Sequence, residues 1–321
     1  MMKSEQGILI GIDLGGTNVR VGSFSADGNF LQALDAPIEV GKGPQAGLAK
    51  IKTLIDQVRL AENADLLAIG IGSTGPLDRE RGCIQNPYTL PGWEDVNIVG
   101  TFHAHYDVPV AFENDADAAA LGEFWQGAGA DVERLLMVTV GTGIGTGLIL
   151  NGEIYRGMNG EHPEGGHVLV DPLGPKCYCG ANGCWESLAS GTAIGKLARE
   201  HADESAFLME QGAGDKGKIT GGMVFDGARA GDGYCLQLVD CSAARLALGL
   251  VSAMMMLLPD RVVMTGGVLK SYVLLEERFL TVLKQHEILI PQIIERIQFA
   301  ALGQNAGLYG AARAAQLMLA Q

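Results

Sequence analysis

One pattern constrains this 321-residue chain more than any other: a short apolar strand, a glycine-rich loop and a second strand, written twice. The first copy runs from Ile8 through Asp13-Leu14-Gly15-Gly16-Thr17 to Val21. The second is the strand Leu135 to Val140, the loop Gly141-Thr142-Gly143-Ile144-Gly145-Thr146-Gly147, and the strand Leu148 to Leu150 with its Asn151-Gly152 hairpin turn. Glycine lets backbone approach an anion closely and aim N–H groups at it. Each loop taken singly also fits a plain or bulged hairpin. A Rossmann reading of the second fails, because a strand and a turn follow Gly147 instead of a helix. The echo predicts two related lobes, the first over 1–117 completed by a helix at 305–321, the second over 118–304.

Composition agrees with a globular chain of that size: 47% apolar residues and 46 glycines scattered through several tight loops. With 37 acidic against 23 basic residues the net charge is −14, which disfavours nucleic acid and anionic membrane as partners. Met1 to Gln6 is polar and lacks the charged and apolar regions of a signal peptide, so the cytoplasm is the expected compartment. The longest apolar run, Leu246 to Leu258, reads as a buried core helix too short to span a bilayer. Further strands are expected at Leu66–Gly72, Val108–Phe112 and Arg261–Met264, with helices at Pro44–Leu60 and Ala116–Gly127. The stretch 82–99, rich in Pro, Gly and Asn, reads as a functional loop.

Three further groups carry chemistry. Asp13, at a strand end, suits a hydrated magnesium. Glu113-Asn114-Asp115 stands where a strand gives way to a helix, and two readings compete. Asp115 takes the proton from a sugar hydroxyl while Asn114 binds a neighbouring one, or the pair is a helix N-cap. His167, Cys177, Cys179 and Cys184, spaced His-x9-Cys-x-Cys-x4-Cys, supply an imidazole and three thiolates for a closed, structural tetrahedral zinc site. Glu164 and Glu186 flank this knuckle, and carboxylates accept hydrogen bonds from sugar hydroxyls. Thr265-Gly266-Gly267 offers a flat backbone for an adenine or ribose, or is an ordinary strand-to-helix turn.

Taken in order, these motifs resemble the ROK family of repressors and sugar kinases, and within it the bacterial glucokinases. The resemblance is carried by Asp13 to Thr17, Glu113-Asn114-Asp115-Ala116, Gly141 to Gly145, Glu164, Gly166-His167, Cys177-x-Cys179-Gly180, Gly183-Cys184-x-Glu186, Gly266-Gly267 and Gly307 to Ala312. It implies an α/β, actin-like ATPase (ribonuclease H-like) fold with two lobes and an interlobe cleft. It implies an ATP-dependent kinase acting on the 6-hydroxyl of a hexose, glucose first, in carbohydrate metabolism. It implies Asp115 as general base, and Gly75, Asn114, Asp115, Glu164, His167 and Glu186 as sugar contacts. Asp13, Gly15, Gly16, Thr17, Thr142, Gly143, Gly266 and Gly267 are then the nucleotide side, with ATP, Mg2+ and structural Zn2+ as cofactors. A homodimer or homotetramer is expected. Other members act on N-acetylmannosamine, N-acetylglucosamine or fructose, or are sugar-sensing repressors with an added DNA-binding segment; here six residues precede the first strand. Two departures fall on the sugar side. His162-Pro163-Glu164-Gly165-Gly166-His167 replaces the usual Ala-Gly-Glu-x-Gly-His, with Glu161 a competitor for the Glu164 role, and Thr74-Gly75 replaces Pro-Gly.

Overall fold

The computed structural model describes residues 7–320. The expectation for Met1 to Gln6 lies outside the described residues. The chain divides into two compact units, one formed by Met1–Met137, Gly147–His162 and Ala300–Gln321, the other by Val138–Thr146 and Pro163–Phe299.

The first unit opens with β1 (Gly7–Leu14), β2 (Asn18–Ser25) and β3 (Phe30–Pro37), an antiparallel meander. Then come α1 (Pro44–Glu62) and β4 (Asp65–Ser73), which pairs parallel to β1. A small sheet of β5 (Leu77–Asp78), β6 (Cys83–Ile84) and β7 (Val96–Asn97) comes next, and the stretch 82–99, expected as a loop, holds β6, β7 and the first residues of α2 (Ile98–Tyr106). β8 (Val110–Asn114) pairs parallel to β4, and α3 (Asp115–Gln126) follows without a break. The main sheet therefore has the order β3-β2-β1-β4-β8.

Strand alternation sorts its two faces. Ile8, Ile10, Ile12 and Leu14 of β1 enter a core with Leu48, Ile51 and Ile55 of α1 and Phe102 of α2. Leu9 faces the other way, with Phe24 and Ala68, onto Leu308, Ala312 and Ala315 of the C-terminal helix. That face is covered at very short range because its residues are small. A Cβ on Gly70 would lie 1.7 Å from the Ala311 carbonyl oxygen, and one on Gly310 would lie 1.6 Å from that of Ala118 in α3. We expect Gly310→Val to destabilise the protein by at least about 2 kcal/mol through overpacking, read as a lowered thermal midpoint. An unchanged midpoint would contradict this packing.

Beyond α3 the chain runs through β9 (Arg134–Val140), β10 (Ile144–Leu150) and β11 (Glu153–Ile154). The second unit continues with α4 (Trp185–Ala189), α5 (Gly191–Glu200), α6 (Ala206–Gln211), α7 (Gly221–Arg229) and α8 (Gly233–Leu257). β12 (Arg261–Thr265), α9 (Tyr272–Lys284) and β13 (Ile297–Phe299) follow, and α10 (Ala306–Met318) returns to the first unit. The second sheet has the order β11-β10-β9-β12-β13, again a meander at one edge followed by later strands. The sequence echo is thus an echo of topology.

Two expectations need adjusting. β10 starts at Ile144, inside the glycine loop, because Gly145 N–H donates to Thr139 Oγ1 at 3.2 Å and the chain is already extended there. The apolar run Leu246–Leu258 is the second half of a longer helix, α8, whose 25 residues begin at an Asp232 cap on Cys235 N–H. By length and composition α8 reaches the size of a bilayer span, but half of its most apolar window is buried. At Gly249 it makes room for Trp185, whose ring would stand 2.3 Å from a Cβ there.

Candidate functional site

In the first unit, the turn from β1 to β2 carries Asp13, Gly15, Gly16 and Thr17. Gly15 N–H donates to the Asn18 carbonyl at 3.0 Å and closes the turn. Gly16 has no room for a side chain, since a Cβ would lie 2.6 Å from the Thr89 carbonyl oxygen. The loop opens onto a cavity of about 620 Å³ lined also by Arg20, Asp35 and Gln304. Burial lifts the Asp13 carboxyl above the usual range, opposed by the charge of Arg20 and reinforced by that of Asp35.

At Asn114-Asp115 the hydrogen bonds assign the cap. Asn114 is the cap: its Oδ1 accepts from Ala116 N–H at 2.8 Å and Asp117 N–H at 3.3 Å. Asp115 Oδ1 accepts only from Ala116 N–H, at 2.9 Å, so a proton-accepting oxygen is left over. The residue is exposed to solvent, yet the protein crowded around its carboxylate strips away much of the hydration. That desolvation, with the nearby Asp13 charge, pushes its pKa up to about 6; Ala116 N–H and His162 pull the other way. Gly75 lies beside it, where a Cβ would stand 3.1 Å from Asn114 Nδ2.

A charged cluster that sequence reasoning missed lies behind these residues. Buried Glu113 meets Arg79 at 3.1 Å and Arg156 at 2.6 Å. Asp117, 1% exposed, meets Arg156 at 3.5 Å and His162 Nδ1 at 3.0 Å. The loop between β6 and β7 is likewise ordered around Asn86, also missed, whose Nδ2 donates to Thr89 Oγ1 at 2.6 Å and to the Thr74 carbonyl at 3.3 Å.

In the second unit, Thr142 and Gly143 sit in the turn between β9 and β10, closed by Gly141 N–H to the Gly143 carbonyl at 2.9 Å. Glu186 touches this turn, its Oε2 accepting from Ile144 N–H at 2.8 Å. Thr146 Oγ1 donates to the Pro163 carbonyl at 3.1 Å and accepts from Gly165 N–H at 3.0 Å. The glycine turn, Glu186 and the Pro163 loop are therefore one assembly, with exposed Glu164 between the two bonds to Thr146. Gly266 adopts φ 118°, and a Cβ on it would lie 2.3 Å from the Val140 carbonyl oxygen. Gly267 and Thr142 share a cavity of about 680 Å³ whose lining includes Thr192, Phe225, Arg229 and Lys270, none of them marked by sequence reasoning.

His167, Cys177, Cys179 and Cys184 come together with their ligand atoms within 4.8 Å of one another. Cys177 Sγ lies 3.5 Å from His167 Nδ1, and Cys179 Sγ 3.5 Å from Cys184 Sγ. Three sulfurs and one imidazole nitrogen fit a structural Zn2+. His167 Nε2 points elsewhere, 3.0 Å from the Tyr178 hydroxyl. Gly183 makes the knuckle possible with φ 68° and backbone contact so close that a Cβ would fall 1.5 Å from the Asp171 carbonyl oxygen.

Sheets of this paired order, each opening on a glycine turn, define an actin-like ATPase fold, and solved structures agree. A ROK hexokinase from Thermus thermophilus superposes with TM-score 0.86 at 32% identity, covering 98% of this chain and 100% of that one. A ROK family glucokinase from Streptomyces griseus, solved with glucose and AMPPNP, gives 0.78 at 29% identity, covering 97% and 100%. The ROK family model matches residues 9–317, and the chain belongs to the ROK family. Among its relatives, a glucokinase from Thermotoga maritima is 34% identical over 95% of this chain and 96% of its own length. An N-acetylmannosamine kinase from Yersinia pestis is 33% identical over 94% and 96%.

Proposed function

We propose that this chain is an ATP-dependent hexose kinase that transfers the γ-phosphoryl group to the 6-hydroxyl of glucose. The observation that carries the reading is the division of labour at the start of α3: Asn114 caps the helix and Asp115 keeps a free carboxylate oxygen with its pKa raised to about 6. The glucokinase relatives and the glucose-bound neighbour point to the same sugar.

In this reading Asp115 accepts the proton of the sugar hydroxyl as its oxygen attacks the γ-phosphorus, and the bond to the ADP oxygen breaks. Asn114, Gly75, Glu164, Glu186 and His167 hold the sugar. Asp13, Gly15, Gly16 and Thr17, with Thr142 and Gly143, face the phosphates through backbone N–H groups and hydroxyls. Gly266 and Gly267 face the nucleoside. Asp13 would hold Mg2+ through water, and the ion would supply charge neutralisation at the phosphates. His167, Cys177, Cys179 and Cys184 would hold Zn2+, which would fix the segment carrying Glu164 and Glu186. The remaining free thiols suit a reducing, cytosolic setting. The resemblance also implies self-association, read directly by light scattering.

A base must be unprotonated to act. Activity as kcat/KM is therefore expected to be full well above pH 6, to halve near 6 and to fall about tenfold per unit below it. A pH profile of ADP formation with glucose checks this; an unchanged rate at pH 5 would contradict it. The second reading, a kinase for N-acetylmannosamine, is favoured by the Yersinia relative and by the unusual His162-Pro163 pair next to Glu164. An ADP-release assay across glucose, N-acetylmannosamine, N-acetylglucosamine and fructose separates them. Glucose giving the highest kcat/KM is the expected result.

A further inference from the structure

We infer that His162, packed against buried Asp117 at the start of α3, is a positioning residue for Asp115. The inference rests on reading Asp115 as the base.

The geometry forms one connected path. His162 Nδ1 stands 3.0 Å from Asp117 Oδ1, and Arg156 Nη1 stands 3.5 Å from Oδ2 of the same carboxylate. Asp117 in turn donates its backbone N–H to Asn114 Oδ1, the cap oxygen that also takes Ala116 N–H. Asp115 directly precedes these two N–H groups in the chain and accepts from Ala116 N–H itself. Arg156 continues the path to Glu113 at 2.6 Å, where Arg79 meets the other oxygen at 3.1 Å. Two carboxylates on the β8–α3 junction are thus matched by two guanidiniums and an imidazole arriving from the turn after β5 and the loop after β11. Of these groups His162 is the one that borders the Pro163-Glu164 loop.

The energetics favour a rigid role. A carboxylate 1% exposed is costly to hold without partners, so Asp117 keeps the first turn of α3 locked to its partners or relaxes toward solvent. Removing His162, itself only 16% exposed, frees one side of Asp117 and lets that turn shift. Small displacements of a reacting group are costly: about 1 Å can lower a rate about 100-fold. The other charged groups facing Asp115 are Asp13 and Asp117, so His162 is a positive or polar counterpart at an otherwise acidic junction.

The test is a double-mutant cycle on the full-length protein. His162→Ala is expected to lower kcat about tenfold with the KM for glucose and ATP changed less than about twofold, and His162→Asn, whose amide nitrogen takes the place of Nδ1 toward Asp117, to recover most of the loss. In an Asp115→Asn background, His162→Ala is expected to cost less than about twofold, because the group it positions is gone. Asp117→Asn provides a second entry to the same cycle and should show the same non-additivity. A raised sugar KM with unchanged kcat would overturn the inference, placing His162 in sugar binding through its neighbour Glu164. An equal loss in both backgrounds would overturn it as well. Near-normal turnover of Asp115→Asn alone would instead remove the base assignment, and the inference with it.

Discussion

Asp115→Ala is expected to lower kcat at least about 100-fold while glucose binding, read by calorimetry or fluorescence, stays within a few-fold of the parent. The magnitude follows from what a positioned base contributes to proton transfer, about 100-fold to 10,000-fold. The split between turnover and binding follows from the structure. Asn114 and not Asp115 holds the helix start, so the substitution removes an acceptor without removing the cap. The melting temperature should therefore stay close to the parent's. Asn114→Ala is the contrasting case: it removes a cap worth about 1 kcal/mol and should lower the melting temperature as well as activity. If Asp115→Ala kept near-normal turnover, proton acceptance would have to be assigned elsewhere.

The second large effect is expected at the knuckle. Cys184 is fully buried among the other ligands, and its replacement by alanine is expected to abolish stoichiometric zinc in the purified protein. Loss of the metal should release the segment from Val168 to Trp185, which the backbone bonds Val170 N–H to Gly183 and Trp185 N–H to Val168 otherwise close up. Glu186 follows directly and loses its hold on the Ile144 N–H of the glycine turn. Outer-shell changes at metal sites cost about 10-fold to 100-fold, so losing a ligand should lower kcat/KM by more than about 100-fold. Metal analysis beside a rate measurement checks it. Full activity in a zinc-free Cys184→Ala protein would show that the cluster does not organise the site.

Much of this was legible in the sequence, and for physical reasons. The two glycine turns are visible because no other residue tolerates such close backbone contacts, as Gly16 against Thr89 and Gly147 against Ala116 show. The zinc ligands are visible because the three cysteines fall within a single tight knuckle, with only His167 a short step away. At Asn114-Asp115 sequence left a cap and a base open, and the hydrogen bonds assign the cap to Asn114. The charged cluster was not legible. Arg79, Asp117, Arg156 and His162 follow no common spacing, and the guanidinium bonds to Glu113 span 34 and 43 residues of chain. Only the fold brings the loop after β11 onto α3. The cavity beside Gly267 was hidden for the same reason: Thr192, Phe225 and Lys270 come from α5, α7 and the turn after β12. The strand start at Ile144 was missed because glycine at 145 and 147 argues for a loop, although both positions are extended and Gly147 is small so that α3 can pass, its Cβ position lying 2.5 Å from the Ala116 carbonyl oxygen.

The central claim is phosphoryl transfer from ATP to the 6-hydroxyl of a hexose, with Asp115 taking the proton. ADP formation measured with glucose and with 6-deoxyglucose, in the presence of ATP and Mg2+, tests it most directly. Glucose-dependent ADP release with one equivalent of a 6-phosphate product is expected, and only background release with 6-deoxyglucose. ADP release that proceeds equally with 6-deoxyglucose, or that no hexose stimulates although hexose binds, would contradict it.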